Sequence, residues 1–157
     1  MVAGRVERFS RYYPYLESYV EIQVADGRVQ RVSFPEESDE TADDDHRVLE
    51  RIDDYLSGTV SDEFADIELE LPNGSMTQTV LEVLRSLPYG ENASVADIAR
   101  MVDELEVDKF DDLEVVREIL DANPLPILIP DHRVRDGPSG APPSVEQRLR
   151  SLENIGK

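Results

Sequence analysis

The first half of the chain combines strand-like alternation with one segment of helical spacing. Apolar and polar residues alternate over residues 19–25 and 29–34, and the Asp-Gly pair at 26–27 favours a tight turn, so the pattern predicts a β-hairpin. Apolar residues then recur at helical spacing over residues 48–56, which predicts a helix. Residues 64–71 alternate again and predict a third strand with one apolar face.

The second half is predominantly helical by the same criterion. Residues 75–87 carry one apolar stripe, and Ser94 followed by Asp97 resembles a capping box in front of a second helix. A third helix is predicted over 111–122, and a final one is predicted to begin at Ser144, whose hydroxyl would cap it. Short helices joined by tight turns, followed by a small extended element, predict a winged helix-turn-helix layout.

A short apolar run ends abruptly in three reactive side chains. Residues 127–129 are apolar and are predicted to form a buried extended segment. Asp131, His132 and Arg133 follow this segment at a rigid bend of the chain, here called the elbow. A helix is excluded in this segment by three prolines, Pro124, Pro126 and Pro130. On composition alone, a surface ion pair between Asp131 and Arg133, with His132 capping a turn, explains the same residues.

Composition bears on the partners that the chain can have. The formal net charge is -19, from 35 acidic and 16 basic residues, and such a charge normally argues against nucleic acid. An acidic, lysine-poor chain with ordinary aliphatic periodicity indicates a halophilic protein in a salt-rich cytoplasm. At molar salt the Debye length falls to about 3 Å, which screens phosphate repulsion. We predict a cytoplasmic monomer without a membrane segment.

Cysteine is absent from the sequence. Disulfides, thiolate metal sites and thiol nucleophiles are therefore excluded. The sequence also predicts no metal site and no cofactor.

Two segments resemble one known family. Residues 123–134, N-P-L-P-I-L-I-P-D-H-R-V, resemble the active-site pattern N-P-x-P-I-L-I-P-C-H-R-V of the methylated-DNA-protein cysteine methyltransferases, the alkylguanine-DNA alkyltransferases. Residues 80–91 are similar to the family's V-W-x-x-L-x-x-I-P-Y-G-E, and residues 94–99 follow at the expected distance. The one mismatch in the first pattern is Asp131, which stands where the acceptor cysteine belongs.

The resemblance implies an α+β fold in two parts. Residues 1–73 would form a small RNase-H-like α/β domain without chemistry, and residues 74–157 would form the winged helix-turn-helix domain of the alkyltransferase type. It further implies a hydrogen-bonded network of catalytic residues. The positions of that network in this chain are Asn123, Asp131, His132 and Glu153.

The resemblance also implies DNA- and base-contacting positions, and several of them depart from the family. Val95 replaces a tyrosine that helps to rotate the target nucleotide, and Glu114 replaces an arginine that fills the vacated stack. The loop 137–143 lacks the family's pocket tyrosine, and Arg133 is predicted to anchor the fold rather than to read DNA. The full set of implied positions is Ser94, Val95, Glu114, Arg133, Gly137 and Ser139.

Three functions follow from these observations. The first is an alkyltransferase-like DNA-binding protein that recognises O-alkylated guanine for repair, without alkyl transfer to cysteine, and that engages other repair proteins. The second is a noncatalytic protein-interaction module that keeps the fold and has lost DNA binding. The third is an enzyme in which Asp131 attacks the alkyl carbon and His132 with a water hydrolyses the ester.

Overall fold

The computed structural model describes residues 6–37 and 42–155, which form an α+β fold. The ends of the two predicted domains, at residues 1–5 and 156–157, lie outside the described residues, and the boundary at 73/74 stays a prediction. The described elements are β1 (Glu7–Tyr13), β2 (Ser18–Ala25), β3 (Arg28–Ser33), α1 (Arg47–Leu56), α2 (Ser75–Arg85), α3 (Val95–Arg100), α4 (Phe110–Asp121) and α5 (Pro143–Leu152).

The predicted hairpin is present as the β2–β3 pair of a three-stranded antiparallel sheet with the order β1-β2-β3. Asp26 and Gly27 both have positive φ, 53° and 78°, as a tight turn requires. The sequence pattern missed β1, because this edge strand buries only Ser10 and Tyr13 and therefore shows no alternation.

The predicted strand over residues 64–71 is wrong. Phe64 has a φ of 54°, and the segment contributes one isolated bridge, between Leu69 and Val29. The Arg85 guanidinium binds the carbonyls of Phe64 and Ala65 at 2.9 and 3.3 Å and that of Ile67 as well. A side chain thus binds these three carbonyls, and the segment pairs with β3 only through the backbone of Val29, which bonds Glu68 and Glu70.

The helices of the second half begin and end close to the predicted positions. The capping box before α3 is present, with the Ser94 hydroxyl accepting from the Asp97 amide and the Asp97 carboxylate accepting from the Ser94 amide, both at 3.0 Å. The predicted cap of α5 is wrong, because this helix begins at Pro143 and Ser144 lies within its first turn. Proline already has the dihedral angle of a first helical residue and needs no amide partner there.

One hydrophobic core runs through both halves of the described chain. It includes Ile22 and Val32 of the sheet, Ile52 of α1, and Leu120 and Leu149 of the later helices. The Val32 amide of β3 donates to the Pro124 carbonyl at 2.8 Å, which ties the sheet to the start of the elbow segment. Among the described residues, no helix has the length and apolar character needed to cross a membrane.

Candidate functional site

The segment before the triplet is buried, but it does not extend as predicted. Ile127 has a φ of 76°, and the Ile129 amide donates to the Leu125 carbonyl at 2.8 Å, so the chain folds into consecutive turns. Asn123 satisfies two further backbone groups, accepting from the Leu125 amide at 3.0 Å and donating to the Ile129 carbonyl at 3.1 Å. Local turns and this amide side chain supply the hydrogen bonds that a strand neighbour would have supplied. Asp131, His132 and Arg133 follow as a single 3-10 turn.

The Glu153 carboxylate is the centre of a buried network that holds this turn in place. Its Oε2 receives hydrogen bonds from His132 Nε2 at 2.8 Å, from Arg133 Nη2 at 3.0 Å and from the Tyr55 hydroxyl. Its Oε1 receives hydrogen bonds from Arg133 Nε at 2.8 Å and from the Gly90 amide at 3.0 Å. The carboxylate therefore joins α1, the turn after α2, the 3-10 turn and the end of α5.

The charge of this network is balanced within the core. Burial alone would raise the pKa of Glu153, but hydrogen bonds from His132 and Arg133 outweigh it and lower the pKa to about 2. Burial, together with the neighbouring Glu153 charge, raises the pKa of Tyr55 well above its ordinary value, so its hydroxyl remains a donor. Arg133 is only 2 % exposed, and its Nη1 also donates to the Leu87 carbonyl at 2.6 Å. Arg133 thus anchors the fold, and whether it also contacts DNA stays a prediction.

The geometry identifies which ring nitrogen of His132 donates to Glu153. Because Nε2 lies 2.8 Å from the ionised carboxylate, it carries a proton. Nδ1 is buried and has no hydrogen-bond partner among the described residues. Within the described residues, Nδ1 is therefore the ring nitrogen left for a hydrogen bond to a water or a ligand.

Asp131 is fully buried and has its own set of partners. Oδ1 accepts from the Ser139 hydroxyl at 2.6 Å, and Oδ2 accepts from the Gly140 amide at 2.7 Å and from Asn123 Nδ2 at 2.9 Å. Burial raises the pKa of Asp131, and these three donors oppose the rise. Asp131 makes no ion pair with Arg133, which binds Glu153 instead, so the surface-pair interpretation of the triplet is wrong.

The four residues predicted to form the site are thus brought together as two adjoining networks. Asn123 binds Asp131, and His132 binds Glu153, while the backbone of the 3-10 turn links the two. Arg150 of α5 adds a further tie by donating to the carbonyl of His132 at 2.9 Å. Apart from His132 Nδ1, the polar groups of this arrangement satisfy one another, which holds them in position.

The predicted DNA- and base-contacting residues occupy different environments. Val95 is 1 % exposed, and Gly137 lies so close to it that a Cβ at 137 would be 3.2 Å from Val95 Cγ2. Ser94 uses its hydroxyl to cap α3, and Ser139 uses its hydroxyl on Asp131. Glu114 lies on α4, part-exposed, in an ion pair with Arg117 at 3.0 Å. Whether these positions contact DNA stays a prediction.

Two contributors to the site were missed by the sequence interpretation. Tyr55 was assigned to the apolar stripe of the first helix, whereas its hydroxyl donates to Glu153. The one local signal was that a buried tyrosine hydroxyl needs a hydrogen-bond partner. Gly140 lies against the elbow so closely that a Cβ would be 2.1 Å from the Asn123 carbonyl oxygen. Its amide reaches Asp131 because no side chain intervenes.

The described residues contain no group of three or more histidine, aspartate or glutamate side chains that could hold a metal ion. His132 and Glu153 are instead engaged with each other and with Arg133. The arrangement is that of a proton-holding hydrogen-bond network.

Comparisons with known proteins agree with this architecture. Residues 75–153 match the family model described as 6-O-methylguanine DNA methyltransferase, DNA binding domain. No curated protein matches the chain.

Several solved structures share the fold. The O6-methylguanine methyltransferase of Mycobacterium tuberculosis superposes with a TM-score of 0.70 at 20% identity, over 96% of this chain and 92% of that chain. A complex of the same organism's OGT with DNA gives 0.69 at 20% identity, over 95% and 92%. The O6-methylguanine-DNA methyltransferase of the archaeon Pyrococcus kodakaraensis gives 0.65 at 20% identity, over 96% and 98%. With the family model matching half of its length, the chain belongs to the 6-O-methylguanine DNA methyltransferase family.

Proposed function

We propose that this protein is an alkyltransferase-like member of its family, which binds DNA and recognises O-alkylated guanine for repair without taking the alkyl group. The observation that carries the proposal is the state of position 131. Its aspartate is fully buried and hydrogen-bonded, while Asn123, His132 and Glu153 keep the network around it. Of the four network positions that the resemblance implies, only position 131 departs from the family pattern.

Alkyl transfer to the protein is disfavoured by the contacts of Asp131. Both carboxylate oxygens accept hydrogen bonds, three in all, and such bonds lower the nucleophilicity of an already weak nucleophile. The chain has no cysteine that could replace it. The same contacts count against the dealkylating enzyme. Asp131 has no exposed surface, and it would have to break hydrogen bonds before its carboxylate could attack an alkyl carbon.

DNA binding is supported by the family of the C-terminal half. The matched family model is a DNA-binding domain, and a protein of the same fold has been solved in complex with DNA. The net charge of -19 opposes binding at low salt, but repulsion between exposed charges is largely screened at molar salt. We therefore expect DNA binding to depend weakly on salt, or even to strengthen as salt is added.

The second candidate, a noncatalytic protein-interaction module, is favoured by the surface of α4. Glu114 stands where the family has a DNA-inserting arginine, and Asp111, Glu118 and Asp121 on the same helix are exposed. Arg117, which could offset these charges, is paired with Glu114. A surface of this kind repels phosphate and suits a basic protein partner.

Fluorescence anisotropy of a labelled duplex distinguishes the two functions. The duplex carries one O6-methylguanine, an unmodified duplex serves as its twin, and both are titrated with the protein from low salt to molar KCl. The proposed function predicts tighter binding to the alkylated duplex by the wild type. Equal affinity for the two duplexes refutes lesion recognition, and no binding at any salt concentration favours the protein-interaction module.

A matched pair of variants locates the binding face. Glu114→Arg and Glu50→Arg make the same change of charge, but Glu50 is an exposed residue of α1 in the other half of the chain. If α4 faces the duplex, Glu114→Arg tightens binding at least about tenfold more than Glu50→Arg does. Equal effects of both variants would reveal nonspecific attraction only.

A further inference from the structure

Residues 137–141, here called the covering segment, lie over the buried network and have few polar ties to the rest of the protein. Within the described part of the chain, two hydrogen bonds connect this segment to residues outside it, from the Ser139 hydroxyl and from the Gly140 amide. Both end on the carboxylate of Asp131. The third bond in the segment is internal, from the Ala141 amide to the Ser139 hydroxyl at 3.0 Å.

The carboxylate also connects to the opposite side of the site. Asn123 Nδ2 donates to Asp131 Oδ2 at 2.9 Å, and the same Asn123 holds the turns of the elbow. Asp131 therefore bridges the covering segment to the rigid elbow below it. Neither Asp131 nor His132 retains any exposed surface in this arrangement.

We propose that Asp131 is a latch: its carboxylate holds the covering segment closed, so that a ligand reaches Asn123 and His132 only after the bonds from Ser139 and Gly140 are broken. A carboxylate accepts several hydrogen bonds at once, and bonds to an ionised acceptor are stronger than bonds between neutral groups. A side chain without that capacity gives up the bonds from the Gly140 amide and the Ser139 hydroxyl, which are the ties between the segment and the elbow. The aspartate at this position thus controls access to the site, whatever the ligand is, and the latch does not depend on the proposed function.

The ends of the covering segment are held independently of the latch. Before it, the Val95 amide donates to Asp136 Oδ1 at 2.7 Å, and the Arg135 amide donates to the Ala93 carbonyl at 2.9 Å. After it, α5 begins at Pro143. Loss of the latch is therefore expected to open the covering segment alone and to leave its two anchors in place.

Amide hydrogen exchange of the full chain in molar KCl, followed by NMR, tests the latch. Ser139→Ala removes one latch hydrogen bond but leaves the Gly140 amide bonded to Asp131. Faster hydrogen exchange of the Gly140 amide in this variant therefore reports opening of the covering segment. We expect an acceleration of about fivefold or more, with the core amides unchanged. Ser86→Ala is the matched control, because it removes a serine hydroxyl that donates to the Val83 carbonyl at the end of α2, away from the covering segment, and should leave Gly140 exchange unchanged.

A thiol probe gives an independent readout, because the chain has no other cysteine. Asp131→Cys introduces a thiol, which is a weak hydrogen-bond acceptor and should therefore free the covering segment. We expect this thiol to react with a water-soluble thiol reagent at least about tenfold faster than the thiol of Ile129→Cys, which leaves the latch intact. Ile129 is equally buried, and its side chain takes no part in the two latch hydrogen bonds. If the cysteine variants fail to fold, Ser139→Ala decides. Unchanged Gly140 exchange in Ser139→Ala overturns the proposal, and equal reactivity of the two folded cysteine variants does so as well.

Discussion

Replacing Glu153 with glutamine perturbs the centre of the buried network while keeping the shape of the side chain. The carboxylate accepts hydrogen bonds from four residues, Tyr55, Gly90, His132 and Arg133. An amide offers one oxygen and presents an NH2 group to the remaining donors. It also leaves the Arg133 guanidinium, which is 2 % exposed, without a counter-charge.

Two estimates of the cost agree. Removing one partner of a buried ion pair typically costs about 3–5 kcal/mol, because the other charge stays buried and unpaired. The pKa of Glu153 falls from its ordinary value of 4.5 to about 2 on folding, which corresponds to about 3 kcal/mol of stabilisation of the ionised protein. Since domains are stable by only about 5–15 kcal/mol, a loss of about 3 kcal/mol in Glu153→Gln is roughly a fifth to three fifths of the free energy of unfolding.

The pH dependence of this contribution has a definite sign. Because the pKa of Glu153 is lower in the folded than in the unfolded protein, its stabilisation is complete above the unfolded value of 4.5 and is lost as the pH falls towards about 2. Asp131 acts in the opposite direction, because burial raises its pKa, so its contribution declines as the pH rises. Asp131 is present in both proteins and cancels in the difference between wild type and variant.

Urea unfolding in molar KCl, followed by far-ultraviolet circular dichroism, measures that difference. The gap in unfolding free energy between wild type and Glu153→Gln should be about 3 kcal/mol at pH 7 and should shrink steadily from pH 4.5 to pH 3. Glu104→Gln, at an exposed position, controls for loss of charge alone. A gap below about 1 kcal/mol at pH 7, or one that stays constant with pH, would refute the reasoning.

Two further substitutions test neighbouring contacts. Tyr55→Phe removes the hydroxyl that donates to Glu153 and should cost about 1–3 kcal/mol in urea unfolding, and this cost should fall in the Glu153→Gln background, since the two side chains are coupled. Gly140→Ala places a Cβ 2.1 Å from the Asn123 carbonyl oxygen, so the covering segment must shift and the melting temperature should drop by several degrees, about 4 °C or more. An unchanged melting temperature in this variant would show that the covering segment does not pack as described.

Local rules account for the elements that the sequence predicted correctly. The β2–β3 hairpin follows from alternation on both sides of an Asp-Gly turn, and the start of α3 follows from the reciprocal bonds of Ser94 and Asp97. Each of these features depends on residues only a few positions apart. Neighbouring residues meet whatever the rest of the chain does, so their pattern can be recognised without a structure.

The residues 64–71 and the elbow show where such rules fail. Both segments have the apolar residues of a strand, yet in neither does the backbone form the predicted strand. Arg85, about twenty residues further along the chain, takes the carbonyls of the first segment, and Asn123 satisfies the backbone of the second. A hydrophobic pattern reports burial, whereas the partner of each backbone group decides its conformation.

The sequence by itself determined the α+β class, the family motif and the identity of the residue at position 131. Only the tertiary structure decided what that residue does, because its hydrogen-bond donors Ser139 and Gly140 come from a segment whose path is set by packing against Leu120 and Asn123. The tertiary structure likewise brings Tyr55 into contact with Glu153, 98 positions away in the sequence. Side chains so distant in sequence meet only when burial closes the loops between them, and no local pattern encodes that meeting.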